Sequence, residues 1–385
     1  MAKSPLLPIF LIVSVDVLGL TIILPLLPFY AEKFGASPAT VGLLVASYAL
    51  CQLIAGPILG RWSDHLGRRP LLLVSQVGTL IGFLILAYAN ALWLIFLSRI
   101  IDGLTAGNLS LAQAYISDVT KPENRAKSFA IIGIAFGMGF LIGPAISGFL
   151  AQFSYQYPIF AAAALSATSI LATYFLLPSG PPIAADNLTP RKFTILDWGN
   201  YVRYFRQPSL APLLWQFFAF ALAFSMYMSG FPLFAERRYV WQGHPFGVKE
   251  VGYVYAYLGL LGVIFQGGLI GKLVKVFGET NLVRAGFFFA MVGLIALGFT
   301  YGVPLLLIVS AVASGGMGAI RPALTSLITQ NASRSEQGVV LGLTQSLNSI
   351  AAIIAPALGG LLIDHSLLAA WALVGAAICG AALFF

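Results

Sequence analysis

The sequence predicts an all-α integral membrane protein with twelve transmembrane helices in two related six-helix bundles. Of its 385 residues, 59% are hydrophobic and only 9% are charged, whereas a soluble domain carries about 25% charged residues. Apolar runs of about 20 residues, the length that crosses a bilayer, recur along the chain. Short motifs of the first half return in the same order in the second. This composition excludes a soluble enzyme, a nucleic-acid-binding protein and a fibrous protein.

Hydropathy and polar breaks define the individual elements. They predict spans at 6–29, 40–60, 71–89, 91–114, 126–150, 156–177, 211–234, 249–272, 282–300, 303–328, 337–363 and 367–385. The first run is too long for a signal peptide and lacks a small-residue cleavage site. The longest polar stretch, 178–210, is predicted to be a cytoplasmic linker between an N-terminal bundle at 1–177 and a C-terminal bundle at 211–385.

Basic residues predict the orientation. With the N-terminus inside the cell, cytoplasmic segments hold 15 of the 21 Lys and Arg residues and the opposite side holds 4. Because cytoplasmic loops are enriched in Lys and Arg, we expect both termini in the cytoplasm. The membrane we expect is a bacterial inner membrane. The net charge of +8 then reflects these loops rather than a nucleic-acid partner.

The two halves share motifs at slowly growing offsets. PFYAEK at 28–33 returns as PLFAER at 232–237, and GPA at 143–145 returns as APA at 355–357. Such a duplication predicts a binding site near the middle of the membrane, between the repeats.

Two motifs are notable, one after the second span and one inside the fifth span. After the second span, Asp64 and Arg68 stand at i,i+4 and are able to pair. We expect a cytoplasmic latch there, formed by Gly60, Asp64, Gly67, Arg68 and Asp118. A loop that only fixes topology is the alternative. In the fifth span, Gly137, Gly143 and Pro144 predict either a bending point or simply a tightly packed helix.

Charged residues well inside spans are few, and such residues are costly in lipid. They are Asp16, Asp102, Arg99 and Arg321. Arg99 and Asp102 stand at i,i+3, so they form either a proton-coupling pair or an internal structural pair. Asp16 has no base on its own helix, so removal from water favours its neutral form and predicts a proton carrier. A packing carboxylate and a direct ligand for cationic cargo are its alternatives.

A substrate cavity is predicted from aromatic and amide side chains. The set is Gln52, Asn108, Phe218, Tyr227, Arg321, Gln345 and Asn348. Rings and amides suit amphipathic, ring-containing compounds. Arg321 contacts an anionic group of the substrate or, alternatively, extends to a helix end.

These motifs resemble a known family. GRWSDHLGRR at 60–69 is similar to the signature G-x-L-x-D-x-x-G-R-[KR] of the major facilitator superfamily, with Trp62 in place of an aliphatic residue. The segments 97–103, 118–125 and 133–148 resemble its Arg-containing and antiporter motifs. The first span resembles the drug:proton antiporter branch, especially tetracycline efflux proteins. The resemblance implies a monomer, embedded in the lipid bilayer, that exports amphipathic small molecules in exchange for protons, with no cofactor beyond the proton.

Other functions stay open on the residues alone. The same fold could carry a physiological solute such as an organic anion, sugar or lipid, by symport or without ion coupling. No Walker-type phosphate-binding sequence occurs, which favours a proton gradient as the energy source. The sequence contains no His, Cys or acid cluster typical of a nucleophile–base pair or metal site, so we do not expect an enzyme.

Overall fold

A computed structural model describes residues 6–120, 125–178, 198–332 and 336–385. Within these ranges the protein is almost entirely helical, and ten helices are long and apolar enough to cross a membrane. Two further predicted spans are also present: one is interrupted by a π-helical turn, and the last is a shorter apolar helix, Leu368–Phe384. The all-α membrane fold expected from composition is confirmed.

The first half contains seven helices. They are α1 (Leu6–Glu32), α2 (Pro38–Leu66), α3 (Arg68–Ala87), α4 (Leu92–Leu104), α5 (Asn108–Val119), α6 (Arg125–Ala151) and α7 (Gln156–Leu176). α1 packs mainly against α6 and α7, and α3 packs against α4 and α7. Apolar residues of α1, α3 and α5, among them Ile12, Leu72 and Ile116, form its buried core.

The predicted fourth span is not continuous, because the chain leaves the helix at Thr105–Gly107 between α4 and α5. Ser75 of α3 stabilises this break: its hydroxyl accepts the Gly107 N–H at 2.9 Å and donates to the Thr105 carbonyl. Gly78 allows the close approach, since a Cβ there would lie 2.2 Å from Thr105 Oγ1. The polar backbone groups freed by the break are therefore satisfied inside the protein, as a membrane requires.

The connection between the second and third spans is shorter than predicted. α2 continues through the expected loop as far as Leu66, and Gly67 is the only non-helical residue before α3. Gly67 has a φ of +94°, a conformation that costs glycine little. One residue therefore reverses the chain direction.

The second half contains eight helices and a short hairpin. They are α8 (Trp198–Phe205), α9 (Ala211–Arg238), β1 (Val240–Trp241), β2 (His244–Pro245), α10 (Val248–Ile264), a π-helical turn (Phe265–Leu269), α11 (Ile270–Phe277), α12 (Glu279–Gly298), α13 (Val303–Asn331), α14 (Gln337–Asp364), α15 (Leu368–Ala381) and a final 3-10 turn (Ala382–Phe384). β1 and β2 pair antiparallel. Of the predicted linker 178–210, residues 179–197 lie outside the described ranges, and the rest includes α8.

Internal contacts divide the chain into two units. The first comprises Met1–Gly35 and Ser47–Ile195, and the second comprises Ala36–Ala46 and Leu196–Phe385. In the second unit, Trp371 of α15 stacks on Phe234 of α9 with ring centroids 4.8 Å apart. Gly230 makes room for this indole, because a Cβ there would lie 2.4 Å from Trp371 Nε1. Large apolar side chains such as Phe175 and Phe288 stay exposed on helix surfaces, as lipid-facing residues do.

Candidate functional site

A buried ion pair lies on α4 of the first unit. Arg99 Nη1 and Asp102 Oδ2 are 3.1 Å apart, and both residues are at most 5% exposed. Arg99 also donates to Ser98 Oγ and lies over the ring of Phe83. The Thr79 hydroxyl hydrogen-bonds Asp102. The i,i+3 spacing read from the sequence thus corresponds to a contact, as helix geometry requires.

Asp16 lies near the middle of α1 and has a different environment. Its side-chain hydrogen-bond partners are Gln76 of α3 and Ser169 of α7, which are both uncharged. The charge that acts on it comes from Asp102, which repels its ionised form. Asp16 therefore has no basic partner among the described residues, whereas Asp102 is neutralised by Arg99.

Gln76 and Ser169 were not singled out in the sequence, although both are fully buried. Gln76 Nε2 donates to Ser169 Oγ at 2.8 Å, and Ser169 Oγ lies 3.5 Å from the Ile12 carbonyl oxygen of α1. An amide in the middle of an apolar span was the available signal, because such a group needs a partner in a membrane. Its partner could not be identified without the packing of α3 on α7.

The other predicted polar residues of the first unit lie on two helices. Gln52 is partly buried on α2, and its Nε2 donates to the Tyr48 hydroxyl at 3.4 Å. Tyr48 in turn interacts electrostatically with Arg99 and Asp102. Asn108 is the first residue of α5, and its buried Oδ1 accepts no hydrogen bond from the described residues.

The predicted cavity residues of the second unit have unequal exposure. Gln345 is exposed and Asn348 partly buried, both on α14, and Phe218 is partly buried on α9. Tyr227 is only 3% exposed, with its ring 5.2 Å from Phe231, inside the aromatic cluster of α9 and α15. In this structure Tyr227 is a packing residue.

Arg321 is exposed although it lies ten residues before the end of α13. That distance is about 15 Å along the helix. Its guanidinium makes no hydrogen bond or ion pair with any residue that the structure describes. A charge at membrane depth costs about 2.5–3.5 kcal/mol on insertion scales, so we expect an exposed guanidinium there to face water rather than lipid.

The predicted latch residues form a connected group at one end of the first unit. Arg68 lies 2.6 Å from Asp64 and its Nε donates to Asp118 at 2.9 Å. Arg68 Nη1 also lies 3.5 Å from the carbonyl oxygen of Gly60. These contacts connect the ends of α2 and α5 to the start of α3, and the sharp turn at Gly67 brings α2 and α3 together.

The second unit repeats this arrangement with the opposite charge. Gly278, at φ +75°, precedes α12 as Gly67 precedes α3, and the following residue is Glu279 where the first half has Arg68. Glu279 accepts hydrogen bonds from Ser326 Oγ at 2.6 Å and Gln330 Nε2 at 2.9 Å. An uncharged amide thus takes the place of Asp118, so the two halves have different polar contacts at these positions.

The glycines of the antiporter-like motif pack α6 on α1. A Cβ at Gly143 would lie 2.1 Å from Thr21 Oγ1, and one at Gly139 would lie 2.6 Å from Val17 Cγ1. Thr21 Oγ1 donates to the Gly139 carbonyl at 2.9 Å. Gly137 is partly buried in the same helix, which continues through Pro144 without a break.

Comparison with known proteins identifies the family. The sequence matches the Major Facilitator Superfamily over residues 9–356 and 267–385. The chain belongs to the major facilitator superfamily. It is therefore a multi-pass membrane transporter, and its relatives are transporters rather than enzymes.

Individual relatives cover most of this transporter. Tetracycline resistance protein, class E, of Escherichia coli is 33% identical over 349 residues, which cover 90% of this chain and 84% of that protein. Multidrug resistance protein 2 of Bacillus subtilis (strain 168) is 29% identical over 363 residues, covering 91% and 87%. The crystal structure of the human organic anion transporter MFSD10 (TETRAN) has a TM-score of 0.74 at 22% identity and covers 98% of each chain. This last likeness shows the fold alone.

Proposed function

We propose that this transporter exports amphipathic, drug-like molecules in exchange for protons by alternating access. The observation that carries the proposal is Asp16, a carboxyl group at membrane depth with only uncharged hydrogen-bond partners. An acid without a basic partner can bind and release a proton, whereas Asp102 has Arg99 as a basic partner at 3.1 Å. Intramembrane acids of this kind are typical of proton pathways.

The direction of exchange follows from the gradient. Asp16 takes up a proton from the outside and releases it inside, before the next molecule of cargo binds. The predicted latch residues, with Arg68 paired to Asp64 and Asp118, close the cytoplasmic face during the outward-open state. We expect the protein to work as a monomer in a bacterial inner membrane, with both termini in the cytoplasm and the proton as its coupling ion.

The cargo class is supported by the relatives and by the chemistry of the spans. Relatives at about 30% identity are tetracycline and multidrug resistance proteins. The amide and ring side chains at Gln345, Asn348 and Phe218 offer the mixture of polar and apolar contacts that ring-containing, amphipathic molecules need. Tetracycline is therefore the first compound to test.

Transport in proteoliposomes with an imposed pH gradient tests the coupling. The wild type should accumulate tetracycline on the acidic side, and collapse of the gradient should abolish accumulation. Asp16→Asn should lose gradient-driven accumulation yet retain downhill exchange, because the amide cannot carry the proton. A variant that still concentrates cargo would exclude Asp16 as the coupling residue and make Asp102 with Arg99 the next pair to test.

Arg321 favours a second candidate, export of organic anions. Its exposed guanidinium makes no ion pair with the described residues and can bind a carboxylate or sulfate on the cargo. Competition between tetracycline and a series of anionic compounds would separate the two. If Arg321→Gln weakens only anionic competitors, the anionic group binds there; if it weakens none, this candidate is wrong.

A further inference from the structure

The Asp16 carboxyl has two side-chain hydrogen-bond partners, an amide and a hydroxyl, which lie on two other helices. We propose that Gln76 and Ser169 are positioning residues that hold the exchanged proton on Asp16. The side-chain amide of Gln76 rotates end for end when the acid changes between its protonated and ionised forms. This inference rests on the proposed function, since it assigns the groups that serve the proton step.

The first support is a continuous set of polar contacts through three helices. Gln76 Nε2 donates to Ser169 Oγ at 2.8 Å, and Ser169 Oγ reaches towards the Ile12 carbonyl, one turn before Asp16. Ser166 Oγ donates to the main-chain carbonyl of Gln76 at 3.3 Å. Gln76 and Ser169 have no exposed surface. Both side chains therefore contact only protein groups.

The second support is an unsatisfied atom. Gln76 Oε1 is buried and accepts no hydrogen bond from the described residues, although its Nε2 is used. No donor holds Oε1 in place, and when the amide turns end for end the Ser169 hydroxyl, which now accepts from Nε2, can donate to Oε1 instead. An amide offers a donor in one orientation and an acceptor in the other.

The two orientations match the two forms of the acid. An ionised carboxylate only accepts hydrogen bonds, so it needs the N–H of Gln76 and the O–H of Ser169. A protonated carboxyl also has an O–H to donate, and the turned amide presents Oε1 to accept it. The 3.5 Å contact of Ser169 with Ile12 is long enough to be given up when the hydroxyl turns to the carboxylate.

Few charges disturb this site. The described parts of the helices that pack on α1 are α5, α6 from 132 to 151 and α7. Neither that part of α6 nor α7 contains a charged residue, and the one acid of α5, Asp118, pairs with Arg68 at 2.9 Å. Asp102 of α4 is the charged group that acts on Asp16, and its own charge is balanced by Arg99. The hydrogen bonds of Asp16 therefore come from uncharged side chains, Gln76 and Ser169.

Infrared difference spectroscopy of the full chain in lipid, between acidic and alkaline buffer, tests the proposal. The carbonyl stretch of a protonated carboxyl reports its hydrogen bonds directly. We expect one such band to disappear in Asp16→Asn, and the same band to move to higher frequency in Gln76→Met, which keeps the length of the side chain but has no amide. Gradient-driven accumulation should fall about tenfold in Gln76→Met, because a tenfold change corresponds to the free energy of about one hydrogen bond to a charged group. Downhill exchange should continue.

Thr173→Val is the matched control, because Thr173 is also fully buried on α7, one turn after Ser169, and its hydroxyl makes no hydrogen bond with the described residues. It should leave the band in place. If Gln76→Met does not fold, Ser169→Ala provides the same test with a smaller displacement. An Asp16 band at the wild-type frequency in the folded variant overturns the inference, as does an equal displacement in Thr173→Val. Accumulation that survives Asp16→Asn overturns the proposed coupling instead, so the two failures are distinguishable.

Discussion

The contact between α1 and α6 gives the sharpest prediction from the structure, at Gly143. A Cβ at this position would lie 2.1 Å from Thr21 Oγ1, 2.8 Å from Thr21 Cβ and 3.1 Å from the backbone nitrogen of Ile22. Rotation of the Thr21 side chain relieves only the first of these contacts. The substitution Gly143→Ala therefore requires the two helices to move apart.

The expected size of the effect follows from two opposing terms. Extra methyl groups in a well-packed core cost about 1–3 kcal/mol, whereas Ala in place of Gly stabilises a helix by about 1 kcal/mol. Gly133→Ala is the matched control, because it lies on the same helix and a Cβ there meets nothing within 4 Å. The control gains the helix term alone, so the two variants should differ by about 1–3 kcal/mol in stability.

Thermal unfolding of the purified variants in one detergent measures this difference. We expect Gly143→Ala to unfold below the wild type or close to it, and Gly133→Ala to unfold at or above it. Adding Thr21→Ala should restore only part of the loss, since it removes the 2.1 Å contact but also the hydrogen bond from Thr21 to the Gly139 carbonyl. Equal stability of the two glycine variants would refute the packing argument. Lost transport at equal stability would instead favour a bending role for this motif.

Two further predictions concern ion pairs. Asp102→Asn leaves Arg99 buried without a counter-charge and should destabilise the protein by about 3–5 kcal/mol; fluorescence-detected unfolding checks this, and a wild-type transition would show that Arg99 finds another partner. Asp64→Asn removes one of two acids on Arg68. The pair is partly exposed, so stability should change by at most about 1 kcal/mol, but we expect spectroscopic distance measurements to show greater opening on the cytoplasmic side. An unchanged distance distribution would contradict the latch.

Features that depend on neighbours along one helix could be predicted from the sequence. The spans follow from apolar runs, because a bilayer demands about 20 such residues with internal backbone hydrogen bonds. Arg99 with Asp102 and Asp64 with Arg68 form pairs because residues three or four positions apart share a helix face. The motifs around these residues also sufficed to recognise the superfamily.

Features that depend on contact between helices were missed or only half predicted. The glycine motif of α6 left bending and packing open, and only the position of Thr21 shows how close α1 lies. Tyr227, predicted to line the cavity, is 3% exposed and lies within the aromatic cluster, because an aromatic residue in a span is equally suited to both environments. The break between α4 and α5 depends on Ser75, which comes from another helix.

The sequence by itself determined that this chain is a membrane protein, how many spans it has, and which charged residues lie within those spans. Composition and helix periodicity are local properties, and local spacing decides them. Only the tertiary structure decided what surrounds Asp16, whose side-chain hydrogen-bond partners are Gln76 and Ser169. These partners lie on α3 and α7, and their contact with α1 depends on the fit of whole helices to one another, which no spacing along the chain expresses.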